Sequence, residues 1–409
     1  PPPPPTLTID RRQRQMCIRD SRELVDGLWT RYSDAVIDNR DLDPAGFERY
    51  SQQFDQVLRE TDGDLARLAV EYGLVDELLT PDQARVRIAD KVGYDHEGDF
   101  RGVAMADYVQ ATAEQSGAGA DKRVGVITAE GAIVDGDARG GVIASDRIIA
   151  LIRRAREDET VAALVLRLNS PGGSAFASEL IRQELELTQL SGKPVVVSMG
   201  PVAASGGYWI ASTADAIVAE PTTLTGSIGV FGIVPTFDEG MAAIGVRNDG
   251  VGTSPLSNIS PLLPINEPTA RILQASVEHT YERFINLVAR GRDLSPEQVD
   301  AVAQGRVWIG TRALDLGLVD ALGNREAAVD QAVELAQLDD FRIKHIEEPV
   351  SPRELLLREL VGAVGIDPPL TGNSLLQSLS EAGSLLNSLN DPRHVYALCE
   401  ACQAKGAIW

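Results

Sequence analysis

The sequence predicts an α/β protein, and two observations after residue 122 support this fold class. Short runs rich in β-branched residues, such as VAALVLRL and KPVVVS, alternate with stretches whose apolar residues recur at helical spacing. The runs are apolar at nearly every position, which is typical of parallel strands covered on both faces of a sheet. The helical stretches between them are long enough to form right-handed βαβ crossovers.

The elements of this region follow a regular order. A strand begins at RVGVITAEGAIV, and the helix SDRIIALIRRARED leads to the strand VAALVLRL. The turn NSPGGS precedes the helix AFASELIRQELELTQL, and the strand KPVVVSMG leads to a helix that begins at Ser205. Residues 267–337 are mainly helical, with a capping sequence, SPEQ, at Ser295. The tail, 346–409, has leucines at helical spacing, which favours packed helices or subunit contacts over membrane-surface association.

Length and charge limit the classes of function. A chain of 409 residues is long enough for two or more domains with a sizeable core. The formal net charge of −22 would repel a phosphate backbone, so a nucleic-acid partner is not expected. No run approaches the roughly 20 apolar residues that span a bilayer. Neither a cofactor nor a metal is expected.

The first 19 residues, PPPPPTLTIDRRQRQMCIR, join a proline run to an arginine-rich stretch without periodicity. They resemble translated sequencing-adapter read-through, so residues 1–19 are expected to be non-native, with a natural disordered tail as the alternative. Near the other end, Cys399 and Cys402 form a CxxC that is compatible with a redox pair, half a zinc site or a local disulfide. No second CxxC or histidine pair completes a metal set, which favours a structural or incidental role.

Two pairs of similar segments indicate an internal duplication. RYSDAVIDNRDLDP (31–44) aligns without gaps with RFINLVARGRDLSP (283–296). AVEYGLVDELLTPDQA (69–84) parallels ALDLGLVDALGNREAA (313–328) in the same order. Two matches in register favour a repeated module over chance.

The duplication predicts the domain organisation. Residues 20–110 are the mostly helical C-terminal remnant of a first module, and 111–122 are a small, polar linker. Residues 123–345 are the second module, an α/β domain, and 346–409 are the helical tail. At the repeat offset of 252, the first-module counterpart of Thr253 falls at position 1, so most of the first module is expected to be missing.

Ser205 is the candidate nucleophile of an acyl-transfer site. It lies in VAASGGYW, where a strand meets a helix at the carboxyl edge of the predicted sheet, the usual ligand edge of open α/β folds. The backbone N–H of Gly206 can supply one oxyanion donor, and Gly172 or Gly173 a second. The alternatives are an N-cap serine and a simple tight turn. Tyr208 is either a pocket wall or a core residue.

Three ordered motifs, LRLNSPGGSAFASELIR, KPVVVSMGPVAASGGYW and PTTLTGSIGVFG, closely resemble the long, tandem form of bacterial signal peptide peptidase A. The resemblance covers the chain after residue 20. It implies a ClpP/crotonase-like α/β superfold of repeated ββα units and a serine–lysine dyad protease. It also implies a homotetramer, anchored in the bacterial cytoplasmic membrane and facing the periplasm, that degrades cleaved signal peptides.

The resemblance also implies roles for individual residues. Ser205 becomes the nucleophile, and Gly206 with Gly172 or Gly173 becomes the oxyanion hole. Ser227, in TGSIG, becomes the residue that orients the lysine base. One local departure is a proline four residues before the nucleophile, which we expect to alter only the turn.

The lysine base of the dyad is the residue that we do not find in this chain. A lysine base must have a lowered pKa to act as a neutral amine, and none of the five lysines matches a family motif: Lys91, Lys122, Lys193, Lys344 and Lys405. Short relatives carry the lysine where Thr253 stands here. The long form carries it at the equivalent position of the first module, so it is expected to be absent from this chain. Thr253 and Ser254 either line the substrate groove or form a turn.

Two rival functions remain open. One is a non-catalytic half that serves only oligomer contacts, which the absence of a suitable lysine favours and the serine with its glycine turns does not. The other is a crotonase-type acyl-CoA enzyme. That enzyme would need a catalytic Asp or Glu near the pocket and a basic patch for phosphates, and neither is evident in the sequence.

Overall fold

The computed structural model describes residues 11–96, 98–105, 107, 108, 121–138, 140–248, 256, 260–348, 390–399 and 402, with side chains from residue 21 onward. The chain divides into two compact units, one of residues 21–119 and one that holds residues 120–409. Within these described ranges, no helix combines the length and the apolar character needed to cross a bilayer.

The smaller unit is helical where it is described. Its helices are α1 (Arg11–Arg40), α2 (Pro44–Gln52), α3 (Phe54–Glu60), α4 (Leu65–Glu71) and α5 (Pro81–Val92). Their starts follow from side-chain caps: Asp43 and Asp64 accept N–H groups of the first turn, and Thr80 forms a capping box with Gln83.

The larger unit contains two sheets. Its strands are β1 (Arg123–Glu130), β2 (Ala132–Val134), β3 (Val142–Ala144), β4 (Val161–Ser170), β5 (Gly172–Ser174), β6 (Val195–Ala204), β7 (Ala216–Ala219), β8 (Leu224–Gly226), β9 (Phe231–Gly232), β10 (Val307–Ile309), β11 (Ala321–Leu322), β12 (Arg342–His345) and β13 (Val395–Leu398). The first sheet has the order β10-β8-β6-β4-β1-β12, with β7 beside β6 and β11 beside β7, and is parallel except at β10. The second sheet has the order β3-β2-β5-β13-β9.

Helices cover both faces of the first sheet, as the apolar runs predict. The helices of this unit are α6 (Ser145–Glu157), α7 (Ala175–Leu190), α8 (Gly206–Ala211), α9 (Asp238–Ala243), α10 (Glu267–Arg292), α11 (Pro296–Val302), α12 (Gly310–Asp315) and α13 (Arg325–Leu335). Along β4, Leu164 and Leu166 face the core formed with α6, α7, α8 and α10, whereas Ala163 and Val165 face α13. Burial of each such leucine side chain stabilises the folded state by about 1.5–3 kcal/mol.

The strand–strand–helix order recurs along the larger unit. β1 is followed by the short strands β2 and β3 and then by α6, and β4 is followed by β5 and then by α7. In each case the long strand joins the first sheet and the short strands join the second. The predicted α/β fold of repeated ββα units is therefore confirmed.

The two copies of the duplicated sequence share one local arrangement of hydrogen bonds. In each, an arginine at the end of a long helix donates through Nε to a glycine carbonyl at 3.1 Å and through both Nη atoms to an aspartate. These residues are Arg40, Gly73 and Asp76 in the first copy (31–44 and 69–84) and Arg292, Gly317 and Asp320 in the second copy (283–296 and 313–328). The next residues, Asp41 and Asp293, have φ of 51° and 52°. The shared geometry supports a duplication.

The tail is a strand rather than a helix in the part that is described. Residues 395–398 form β13, which pairs antiparallel with both β5 and β9. The leucine-rich stretches of the tail lie within 349–389, outside the described residues. Long-range pairing with β5 explains the strand, because a four-residue segment carries little local preference of its own.

Candidate active site

Ser205 occupies a strained turn between β6 and α8. Its φ of 54° and ψ of −112° lie outside the regions that L-residues favour. Such a conformation costs about 1–3 kcal/mol and persists only where the surroundings hold it. Here Ser205 N donates to Gly226 O at 2.8 Å, and Trp209 N donates to Ser205 O at 2.8 Å. A strained serine at a strand-to-helix turn is the geometry of a nucleophile elbow.

The glycines after Ser205 let other backbone segments approach it. A Cβ on Gly206 would lie 2.7 Å from Ser178 Oγ and 2.9 Å from Ala397 O. A Cβ on the next residue, Gly207, would lie 3.1 Å from the carbonyl oxygen at the end of β4. Residue 206 therefore has to be glycine for α8 to begin at this place.

Gly172 lies directly against Gly206. The two turns meet because β4 and β6 are neighbouring parallel strands, so the turns after them share one edge of the sheet. A Cβ on Gly172 would lie 2.8 Å from Gly206 N and 2.1 Å from Ala397 O, and its φ is 101°. Gly172 N donates to Ser170 Oγ at 3.1 Å. The first N–H groups of a helix have no partner inside it, so Gly206 N, at the start of α8, remains the candidate oxyanion donor.

Gly173 has a different environment. It is paired in the second sheet, opposite Ala397 of β13 and Ile133 of β2. A Cβ on Gly173 would lie 2.0 Å from Ile133 O. This glycine therefore allows two strands to approach the turn, whereas Gly172 is the one beside Gly206.

Ser227 lies next to Ser205. The residues directly before these two serines are paired in parallel register, between β6 and β8. Ser227 has φ of 49°, is 6% exposed, and donates from its backbone N to Arg306 O at 2.7 Å. Ser205 Oγ, in a residue only 1% exposed, makes a long 3.5 Å contact with Gly229 O. The structure therefore brings together the two serines singled out from sequence.

A cleft of about 610 Å³ opens at Ser227. Its walls include Ser227, Gly229 and Phe231 and, from the C-terminal segment, Leu398 and Cys399. A second cleft, of about 490 Å³ and mainly apolar, shares Phe231 with it. Together they are large enough for several side chains of an extended peptide.

Not every sequence candidate belongs to this cleft. Tyr208 is fully buried, its hydroxyl donates to Leu318 O at 2.8 Å, and burial raises the pKa of its phenol. It is a core residue, so the groove-wall interpretation is wrong. Thr253 and Ser254 lie outside the described residues. Pro201 is exposed at an irregularity in the β4–β6 pairing, where a missing N–H is tolerated.

The lysines described in the larger unit lie at the opposite edge of the sheet. They are Lys122, Lys193 and Lys344, and their Nζ atoms donate to acceptors in the segment 155–159. Desolvation lowers the pKa of Lys193. Ser205, by contrast, follows the carboxyl end of β6, a strand that spans roughly 30 Å. Lys91 belongs to the helical unit, and Lys405 is not described.

The C-terminal strand β13 contributes a wall of the site that local sequence patterns predict only weakly. Ala397 O approaches both Gly172 and Gly206, and Cys399 N donates to Pro171 O at 2.8 Å. Cys399 forms a disulfide with Cys402, which selects the local disulfide among the three possibilities for this CxxC. The β-branched Val395 and the aromatic Tyr396 are a weak local signal for a strand here.

A strained serine at the carboxyl edge of a parallel sheet, with an adjoining pair of glycine turns, is typical of α/β serine hydrolases. The profile of peptidase family S49 matches residues 188–339, which include Ser205 and Ser227. Protease 4 of Salmonella typhi is 39% identical over 384 residues, which cover 92% of this chain and 62% of that protein. This chain therefore spans less than two thirds of the length of Protease 4.

Two further relatives match a smaller part of the chain. A protein of Synechocystis sp., named as a candidate protease, is 36% identical over 258 residues, which cover 61% of this chain and 87% of that protein. A protein of Enterococcus faecium, named as a candidate signal peptide peptidase, is 32% identical over 193 residues, or 47% of this chain and 56% of that protein. The chain belongs to peptidase family S49, a family of serine peptidases.

Proposed function

We propose that this protein is a serine endopeptidase whose nucleophile is Ser205. The observation that carries the proposal is the strained backbone of this residue, which the hydrogen bonds of Gly226 and Trp209 hold at the start of α8. Strain of this kind is concentrated at functional sites, where it presents a side chain that regular structure would not. Membership of a serine peptidase family supports the same assignment.

In this reaction the Ser205 Oγ attacks the carbonyl carbon of a peptide bond while its proton passes to a base. The tetrahedral oxyanion accepts a hydrogen bond from Gly206 N, next to the turn at Gly172. The intermediate then expels the amine, which takes the proton back from the base and leaves an acyl-enzyme. Water, deprotonated by the same base, hydrolyses the acyl-enzyme and restores the serine.

The base is a lysine, as in the family that the motifs resemble, and the hydroxyl of Ser227 orients it. It is supplied by the position in the first module that corresponds to Thr253. The lysines described in the larger unit support this, because they cluster at the far edge of the sheet. A lysine base also predicts that turnover rises with pH as the amine loses its proton.

The substrates are extended, apolar peptides such as cleaved signal peptides. The mainly apolar cleft that adjoins the cleft at Ser227 supports this, as does the resemblance of the three motifs to signal peptide peptidases. The active assembly is a homotetramer at the periplasmic side of the bacterial cytoplasmic membrane, held by an N-terminal anchor. A disulfide is consistent with this oxidising compartment.

The proposal is tested by peptide hydrolysis with the full-length protein. A quenched-fluorescent peptide with an apolar signal-peptide core should be cleaved, and Ser205→Ala should lower kcat by at least about a thousandfold without unfolding the protein. Ser191→Ala is the control, since Ser191 is an exposed serine before the amino end of β6. Undiminished turnover by Ser205→Ala would exclude the mechanism. No turnover by any form would favour a purely structural role.

A further inference from the structure

Cys399 and Cys402 form a disulfide at the edge of the candidate active site, and the mechanism above does not use it. Cys399 is 2% exposed and lines the cleft with Ser227. Its backbone N donates to Pro171 O at 2.8 Å, one residue before Gly172. The disulfide therefore lies directly after β13, the strand that contacts the turn at residues 171–173, called the oxyanion turn below.

The strand before the disulfide holds that turn from one side. β13 pairs antiparallel with β5 in the register Leu398–Gly172 and Ala397–Gly173. Ala397 O lies so close to Gly172 that a Cβ there would approach it to 2.1 Å, and a Cβ on Gly206 would approach it to 2.9 Å. A small displacement of β13 would therefore change the position of both glycines relative to Ser205.

The two ends of β13 are fixed in different ways. Before the strand, the buried carboxylate of Asp391 accepts hydrogen bonds from Ser174 Oγ at 2.5 Å and Phe176 N at 3.0 Å, at the start of α7. After the strand, Cys399 N donates to Pro171 O, and the disulfide closes the four-residue loop 399–402 and so restrains the conformation of Cys399. Loss of the disulfide would thus loosen the end of β13 nearest to the oxyanion turn.

We propose that the Cys399–Cys402 disulfide is a positioning element that keeps β13 against the oxyanion turn, so that reduction by a dithiol lowers the reactivity of Ser205. Cys402 is the more exposed partner, and a thiolate of the dithiol attacks its Sγ. Cys399 Sγ leaves as a thiolate and takes a proton. The second thiolate of the dithiol then attacks the sulfur already bound to Cys402 and releases that cysteine, which is protonated. Two electrons and two protons pass from the dithiol to the protein disulfide.

The first test follows backbone protection, and it does not depend on activity. Hydrogen–deuterium exchange of the full-length protein is measured by mass spectrometry with and without dithiothreitol. Exchange in peptides that cover 395–399 and 170–174 should become at least about tenfold faster on reduction, while the β1 peptide, 123–130, stays unchanged. Unchanged exchange in both site peptides would overturn the proposal.

The second test follows reactivity, and this part rests on the proposed function of Ser205. Dithiothreitol should slow fluorophosphonate labelling by about tenfold or more, the scale expected for a misplaced catalytic group. Cys402→Ser should be equally slow with and without the reductant, whereas Ser191→Ala, at an exposed serine before the amino end of β6, should respond as the wild type does. For peptide hydrolysis, kcat should fall while KM stays similar, because the change affects the turn that receives the oxyanion.

The outcomes separate the two proposals. If Cys402→Ser labels as fast as the wild type, or if the reductant slows this variant further, the disulfide does not position the site. If the oxidised wild type is never labelled although exchange at 395–399 responds to reduction, the role of Ser205 is wrong and the structural restraint by the disulfide stands.

Discussion

At the scale of single residues, backbone conformation identifies the candidate site more clearly than charge does. Ser205 and Ser227 both have positive φ, and the glycines around them admit neighbouring backbone at distances that no side chain would allow. Ser205 is nearly buried, so we expect a substrate to reach it through the cleft beside Ser227. Reactivity here is expected to depend on the positions of backbone atoms to within a fraction of an ångström.

Gly206→Ala tests this dependence. The added methyl group would meet Ser178 Oγ at 2.7 Å and Ala397 O at 2.9 Å, so the start of α8 must shift. Fluorophosphonate labelling of Ser205 should slow by about a hundredfold, which is the cost of losing one oxyanion donor. Gly240→Ala is the matched control, because a Cβ there has no atom within 4 Å. Equal labelling rates for the two variants would remove Gly206 from the site.

At the scale of secondary-structure elements, a buried ion cluster joins the helices behind Ser205. Glu179 of α7 accepts hydrogen bonds from Arg182, from Trp209 Nε1 of α8 at 2.8 Å, and from Arg283 of α10 at 2.7 Å. Burial alone would raise the pKa of Glu179, but the hydrogen bonds from Arg182, Trp209 and Gln183 and the charge of Arg182 lower this pKa from 4.5 to about 2. The carboxylate therefore favours the folded state only while it is ionised.

This cluster predicts a pH dependence of stability. Because the folded pKa of Glu179 lies below the unfolded value, its contribution is complete above about pH 4.5 and is lost as the pH falls towards 2. The pKa difference corresponds to roughly 3 kcal/mol. The free energy of unfolding in urea is measured at pH 6 and pH 3. Glu179→Gln should lose less stability between these two pH values than the wild type does, whereas Glu239→Gln, at an exposed glutamate, should lose as much as the wild type. Parallel losses for wild type and Glu179→Gln would contradict the assignment.

At the scale of the whole molecule, the described residues of both units contain the same arginine–glycine–aspartate arrangement. Its residues are Arg40, Gly73 and Asp76 in the helical unit and Arg292, Gly317 and Asp320 in the larger one. Two units that form the same bonds from similar segments are explained most simply by duplication. The copies differ in burial, since the arginine side chain is 32% exposed in the first and 7% exposed in the second.

The difference in burial predicts unequal effects of mutation. Arg292→Ala leaves Gly317 O without its side-chain donor and leaves the Asp320 carboxylate with the backbone N–H of Ile217, and should destabilise the larger unit by about 2 kcal/mol. Arg40→Ala should have a smaller effect, because solvent replaces the lost partner. Hydrogen exchange in peptides from each unit measures the two effects separately. A larger loss of protection for Arg40→Ala would contradict this reasoning.

The sequence predicts those features that depend on local pattern. The apolar runs of β4 and β6 predict a covered parallel sheet because burial on both faces leaves few polar positions. The small residues around Ser205 predict its turn because only they fit there. β13 and the buried position of Tyr208 were harder to predict, because each depends on partners far away in sequence: β5 for the strand and Leu318 for the hydroxyl.

The central claim is that Ser205 is the nucleophile, and the most direct measurement is the site of covalent modification. Full-length protein is treated with a fluorophosphonate and digested, and the adduct is located by tandem mass spectrometry. We expect one adduct, on Ser205, which is absent in Ser205→Ala and retained in Ser191→Ala. An adduct on another serine, or none while a known serine hydrolase in the same tube is labelled, would contradict the claim.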